Sequence, residues 1–369
     1  MLSALSMLVP RNVLPSIIAE ARAAPVSWQE YLAARGAFKA EAEGYWSSIA
    51  DKRRGRNAKR REHQQMTLDD YVLTQPPVYR GPSRPPGPSP EPVPEVGPLV
   101  TKPIPVVADL VAAASQIYQW TPQRPANEME FKRAYARYAL NAGLTAEQAV
   151  RVYAFETGGN GTHASQSGFH NGHAISSAIG YNQLLTTNTV ELIAEQGEEF
   201  VRELKARAAA LSGPARAATE HKLAVLKKMV ALATSVPDEW AQHEKMGDTP
   251  QGWAMHAMVL DIDVGPMLQT HKLLTSVIFA REKGYTRPLT AAELEMMNLT
   301  GDGTGLDMVT MPLAMREQVP TSNFFVRRGY ERNPVAVHNN TVARLLAVTD
   351  RWMDAHCALP GAKQLAAAF

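Results

Sequence analysis

Glu156 is followed by Thr157 and then by Gly158-Gly159, and the run before it reads as a helix. Thr145-Ala146-Glu147-Gln148 has the spacing of a capping box, in which a Thr hydroxyl and a Gln amide satisfy backbone donors left orphaned at a helix start. The two glycines supply the left-handed residues on which helices stop. Glu156 therefore falls in the last turn, where the helix dipole disfavours negative charge. Apolar neighbours such as Tyr153 and Phe155 would desolvate it, and both effects raise a carboxyl pKa. A carboxyl that keeps its proton near neutrality can act as a general acid. Many glutamates near helix ends are simply solvated, so spacing alone leaves both readings open.

Other chemistry has weaker anchors. His163, His170 and His173 cluster in the turn-rich segment after Glu156. Three imidazoles can hold zinc with a fourth position open to water, but this spacing matches no common zinc helix, and no metal or other cofactor is expected. No Gly-x-Ser-x-Gly elbow is present, which leaves serine nucleophilic catalysis without an anchor. Gly301-Asp302-Gly303-Thr304-Gly305 lacks the Lys-Ser/Thr of a phosphate-binding loop and reads as a tight loop after the helix Ala291–Leu299.

Downstream of Glu156-Thr157 the segment closes on Gly180-Tyr181-Asn182-Gln183-Leu184-Leu185. The two runs together resemble the first two motifs of the lytic transglycosylases of the lysozyme-like superfamily, a Glu-Ser pair followed by Gly-Leu-Met-Gln-Leu. Thr157 stands for the Ser and Tyr181-Asn182 for Leu-Met. The family's third motif, Ala-Tyr-Asn-Ala-Gly-x-Gly at a helix end, is similar in position to Met297–Gly303. There Asn298 takes the Tyr position and Leu299 the Asn position. Tyr330 lies where the family often carries a cleft tyrosine. The resemblance implies Glu156 as the single catalytic acid, with Thr157, Gly180, Tyr181, Gln183, Asn298 and Tyr330 as substrate-binding candidates. The implied substrate is peptidoglycan glycan strands, cut between N-acetylmuramic acid and N-acetylglucosamine to leave 1,6-anhydro ends. Such a substrate implies a periplasmic or secreted protein.

A hydrolysing muramidase usually needs a second carboxyl as nucleophile or base. Glu191, Asp261, Asp263 and Asp302 are candidates, and nothing in the sequence picks one out, so the single-acid reaction is the favoured expectation. The muramidase is the closest alternative. A non-catalytic peptidoglycan-binding or assembly protein on a lysozyme-like scaffold is the alternative from another class, supported by the altered third motif.

The elements that must position these residues are helical. Expected helices cover Val107–Trp120, Glu128–Ala142 closed by Gly143, Ala146–Thr157, Asn188–Gln196 stopped by Gly197, Pro266–Lys283, Ala291–Leu299 and Asn339–Ala355. Glu198–Leu211 and Ala215–Ser235, broken at Gly213-Pro214, read as an inserted antiparallel pair, with inserted helices near 198–245. The fold class is therefore mainly α, of the α+β lysozyme-like kind, with at most a small β-hairpin within 158–180.

Residues 107–369 form the expected catalytic domain. Before it, residues 1–50 read as an apolar to amphipathic segment, either a signal peptide or a short helix. Ala21-Arg22-Ala23 suits a cleavage site, while Pro10, Arg11 and Asn12 interrupt the apolar core of a signal. Residues 51–106 read as a basic and then Pro-rich disordered tether. Twelve of the 26 prolines lie between Gln75 and Pro105, and such segments form extended spacers rather than cores. Lys52–Arg61, KRRGRNAKRR, offers contact with an anionic surface through residues 52–61. No aromatic is interleaved to stack on bases, so no specific nucleic acid is expected. The chain of 369 residues carries a net charge of +2 and a single cysteine, Cys357, which excludes an internal disulfide. No apolar run is long enough to span a membrane.

Overall fold

The computed structural model describes residues 26–87, 104–170 and 173–369. The remaining residues, which include the candidate signal segment and much of the Pro-rich stretch, lie outside the described residues. The fold is mainly helical, and no described helix is long and apolar enough to cross a membrane. The chain divides into two units. One comprises Met1–Tyr45 and Pro77–Leu99, the other Trp46–Pro76 and Val100–Phe369.

In the first unit the N-terminal part of helix α1 (Trp28–Arg61) presents Phe38, whose ring meets that of Tyr79 edge-on at 5.4 Å. The Arg35 guanidinium lies 4.7 Å from the Tyr79 ring centroid, and Arg84 lies over Trp28.

The second unit opens with the C-terminal part of α1. Helices α2 (Val107–Tyr118), α3 (Glu128–Ala142) and α4 (Ala146–Thr157) follow, then the hairpin β1 (Phe169–His170) and β2 (His173–Ala174). Next come α5 (Thr186–Ala209), α6 (Gly213–Ala233), α7 (Trp240–Gly247), α8 (Pro250–His256) and α9 (Val264–Glu282). The chain continues through α10 (Ala291–Thr300), α11 (Asp302–Thr310), α12 (Leu313–Arg316), α13 (Arg327–Glu331) and α14 (Pro334–His338), and closes with α15 (Val342–Cys357) and α16 (Pro360–Ala366). The hairpin falls within 158–180, where the turn-rich sequence placed it. Phe169 faces Ala174 and His170 faces His173 in register.

Caps fix the elements that matter most for the site. The Asn127 side chain accepts from Glu130 N at the start of α3, and Gly143, at φ 94°, ends it. The Thr145–Gln148 box starts α4 and Gly158 closes it. Thr290 and Glu293 repeat the box at the start of α10. Three apolar clusters fill the interior. One gathers α2, α5, α6 and α8. A second gathers α3, α4, α9, α10, α15 and α16. The third joins Tyr71, Phe324, Phe325 and Tyr330 to parts of α10, α11 and α15.

Three expectations are corrected. Gly197 does not stop a helix, because α5 runs through it. A Cβ there would lie 2.5 Å from Val230 Cγ2, so the glycine lets α5 and α6 approach closely, and the expected helical pair does pack together. The Gly301–Gly305 run is not a loop. Gly301, at φ 82°, separates α10 from α11, and Gly305 packs its backbone against Met297, where a Cβ would lie 2.4 Å from Met297 Cα.

The third correction concerns the basic run, which is helix and not tether. Arg56 is 1% exposed; its guanidinium lies 4.6 Å from the Tyr71 ring centroid and donates to Asp70 O and Asn323 O. Arg53 donates to Asn323 O and Phe325 O, Lys59 pairs with Asp70, and Arg60 pairs with Asp307. Lys52 donates to Asp69 O as well, so five of the run's seven charges are directed at the protein itself. A guanidinium that finds acceptors and an aromatic face is more weakly hydrated than an ammonium and tolerates such burial. Arg54 and Arg61 remain exposed.

Candidate functional site

Glu156 occupies the last turn of α4, and its surroundings come from four other helices. From α10, Asn298 donates its side-chain amide to Glu156 Oε1 at 2.9 Å, and the same nitrogen lies 3.4 Å from Glu295 Oε2. Glu295 is completely buried and hydrogen-bonds Glu156. From α9, Lys272 places its ammonium within electrostatic range of both carboxyls. From α5 and α11, Glu191 and Asp302 face the same lysine.

Burial pushes the Glu156 carboxyl up to about 7, against the opposing pull of Lys272 and the hydrogen bonds from Glu295 and Asn298. Burial raises Glu295 further, and the adjacent Glu156 charge adds to the effect. Two carboxyls this close in a desolvated pocket cannot both ionise easily, so at least one proton stays with the pair at neutral pH. Glu295 is the better holder, being wholly buried with Oε1 lacking any hydrogen-bond partner. A protonated Glu295 then donates to Glu156. Burial also lowers the Lys272 ammonium, opposed by the four surrounding carboxyls.

Asn298 and Lys272 also line a cleft of about 470 Å³. Glu191 and Glu195 of α5, Trp240 of α7, Ser276 of α9 and Asp302 of α11 are also among its walls. Burial, together with the neighbouring Glu191, Asp238 and Asp302, brings Glu195 up to about 7. Asp302 accepts a 2.5 Å hydrogen bond from Ser276. The partly buried Glu156 does not line the cleft itself but is hydrogen-bonded to Asn298, which does.

The remaining motif residues do structural work. Gly180, at φ 86°, lets the turn press on α9, where a Cβ would meet Gln269 Nε2 at 1.9 Å. Gln269 is fully buried and receives Asn182 N at 2.8 Å, while Asn182 Nδ2 donates to Gln269 O and Tyr135 Oη. Tyr181, expected to face substrate, is fully buried: its hydroxyl donates to Glu128 Oε1 at 2.5 Å, and its ring packs edge-on against Phe131, Tyr135 and Tyr153. Gln183, in a left-handed conformation at φ 45°, turns its amide back to Gly180 O and Ser165 O and lines no part of the cleft. Thr157 bonds back to Tyr153 O. Tyr330 is 5% exposed and packs with Trp46 and Phe325 in the third cluster, so it too lies outside the cleft lining. Of the six substrate-binding candidates, only Asn298 hydrogen-bonds Glu156.

The other acids and imidazoles separate in the same way. Asp261 and Asp263 are held by the buried Lys222 at 2.8 and 2.6 Å, and Arg207 also pairs with Asp263. Glu191 and Asp302 reach the cleft. His163 bonds to Glu128 and stacks on Phe131, whereas the side chains of His170 and His173 lie outside what the structure describes. Among the described residues no group of three His, Cys, Asp or Glu side chains could hold a metal. Sequence reasoning missed Glu295 and Lys272. Both lie mid-helix with no cap, glycine or motif beside them, and only their shared face with Glu156 marks them.

No protein-family model matches the chain, and no curated protein or solved structure matches it.

Proposed function

We propose that this protein cleaves the glycan strands of peptidoglycan as a lytic transglycosylase, with Glu156 as the sole acid and base. The observation that supports this reading best is the Glu156 carboxyl itself. It is raised by burial at a helix end, bridged through Asn298 to a second buried carboxyl, and set beside a polar cleft. Protonated Glu156 donates to the glycosidic oxygen as the bond from C1 to that oxygen breaks. The resulting carboxylate, stabilised by Asn298, Glu295 and Lys272, takes the proton from the muramoyl C6 hydroxyl, whose oxygen bonds to C1. No water is consumed and Glu156 ends protonated. Acid catalysis of this kind contributes roughly 10²–10⁴-fold. The substrate would place the protein in the bacterial envelope.

A muramidase-type hydrolase is the second reading, favoured by the additional carboxyls of Glu191, Glu195 and Asp302 on the cleft walls. Digestion of purified peptidoglycan by wild type and Glu156→Gln, followed by mass spectrometry, separates the two. Anhydro-muropeptides lost in the variant support the transglycosylase. Reducing muropeptides lost in the variant mean hydrolysis. No cleavage by wild type, with glycan binding retained, overturns both in favour of a binding scaffold.

A further inference from the structure

Among the described residues four lysines are buried or partly buried: Lys59, Lys132, Lys222 and Lys272. Three of them are satisfied. Lys59 pairs with Asp70 at 2.7 Å, Lys132 donates to Gly361 O at 2.9 Å, and Lys222 pairs with Asp263 at 2.6 Å. Lys272 makes no hydrogen bond and no ion pair among the described residues. It lines the cleft of about 470 Å³, and its nitrogen is open to that space. A lysine retained for stability reaches an acceptor, as the other three do. This one stands at a cleft wall with its donors free.

The surrounding groups restrict what can meet it. Glu156, Glu191, Glu295 and Asp302 all act on Lys272 electrostatically, so an anionic ligand would be repelled. Asn188, Thr275 and Thr300 offer neutral hydrogen-bonding groups on the same walls, and Trp240, 47% exposed, offers an aromatic face. A small neutral molecule with hydroxyl groups suits these walls. Burial lowers the Lys272 ammonium against the pull of the four carboxyls, and a desolvated lysine that sheds its proton is a nucleophile toward carbonyl carbon. A protonated imine restores the positive charge, so the carboxyls that stabilise the ammonium also stabilise that product.

We propose that Lys272 forms an imine with a neutral hydroxyaldehyde held in this cleft, with Glu191 as the acid that completes the step. Nζ bonds to the carbonyl carbon, and the carbonyl oxygen takes a proton from the nitrogen to become a hydroxyl. Glu191, raised above the ordinary carboxyl range by burial, protonates that hydroxyl, which leaves as water. The iminium keeps one proton on nitrogen and faces the Glu191 carboxylate. No oxidant or reductant is consumed. This activity goes beyond glycan cleavage and does not depend on it, since a 1,6-anhydro end carries no free aldehyde.

The test is reductive trapping on the full wild-type chain. D-Glyceraldehyde and cyanoborohydride are added at neutral pH, and the modified lysines are located and timed by peptide mass spectrometry. Exposed Lys227 serves as the internal reference. Labelling of Lys272 is expected to run roughly tenfold faster than that of Lys227, the effect of a desolvated amine with an acid beside it. With glyoxylate, an aldehyde that carries a carboxylate, this advantage is expected to disappear. Glu191→Gln is expected to slow labelling at Lys272 roughly tenfold and leave Lys227 unchanged. Lys272 labelled no faster than Lys227 overturns the proposal, as does an equal advantage with glyoxylate or unaltered labelling in the Glu191 variant. None of these assays contains glycan, so a failed peptidoglycan digestion would overturn the glycan-cleaving reading alone.

Discussion

The side-chain amide of Asn298 reaches Glu156 Oε1 at 2.9 Å and ties the end of α10 to the last turn of α4. The contact stabilises the ionised form of a carboxyl that burial otherwise drives toward neutrality. An acid that must later act as a base needs both influences.

Replacing Asn298 by Leu removes the donor and leaves the carboxylate less stable, so the Glu156 pKa rises. In the proposed mechanism the acid is protonated Glu156, so the alkaline limb of activity is expected to move to higher pH while the maximal rate falls roughly tenfold. A pH–rate profile of the variant checks both. An unmoved limb would mean that Asn298 does not act through Glu156.

Stability should depend on pH in an unusual direction. Glu156 and Glu295 both have folded-state pKa values above the ordinary carboxyl value of 4.5. The folded protein therefore holds protons more tightly than the unfolded chain between about 4.5 and 7, and stability falls as pH rises through that window. For Glu156 the loss is on the order of 3 kcal/mol. Glu295→Gln, which removes one of the two titrations and keeps a donor to Glu156, should flatten the decline. Thermal unfolding at pH 4.5 and 7.5 measures the difference.

Within the basic run, position decides the outcome. Arg56→Ala strips two backbone carbonyls and the Tyr71 face of their partner, and is expected to cost about 2–5 kcal/mol. Arg54, paired only with Asp51 at the surface, should tolerate the same change within ~0.5 kcal/mol. Equal effects in a denaturation series would refute the view that the run is part of the core.

Gly197→Ala drives a methyl group into Val230. Overpacking of this kind is expected to cost about 1–3 kcal/mol, although alanine is the better helix former by about 1 kcal/mol. A stabilised variant, read from its urea midpoint, would show that α5 and α6 can move apart freely.

The sequence carried the boundaries of α3 and α4 and the place of the hairpin, because Gly143, Thr145 and Gly158 act locally and need no partner from elsewhere. Gly197 misled because its role lies in Val230, more than thirty residues away. The arginines of α1 misled for the same reason, since their acceptors come from Asp70, Asn323 and Asp307. Asn298 was singled out as a substrate-binding candidate but is found bonded to Glu156, and Glu295, three residues before it, was marked only by the helical turn that brings both there. Tyr181 and Gln183 were read as facing a ligand, but their polar atoms are used by Glu128, Gly180 and Ser165.

The Gly180–Leu185 turn is fastened to α9 through Gln269 and to α3 through Tyr135 and Glu128. It therefore acts as a joint between framework helices, and its residues answer to foldability before they answer to any ligand. A lineage carrying this joint could trade Glu156 for a neutral side chain and keep the joint intact. The turn thus reports on architecture, and the carboxyl pair at Glu156 and Glu295 is the part that bears on the proposed chemistry.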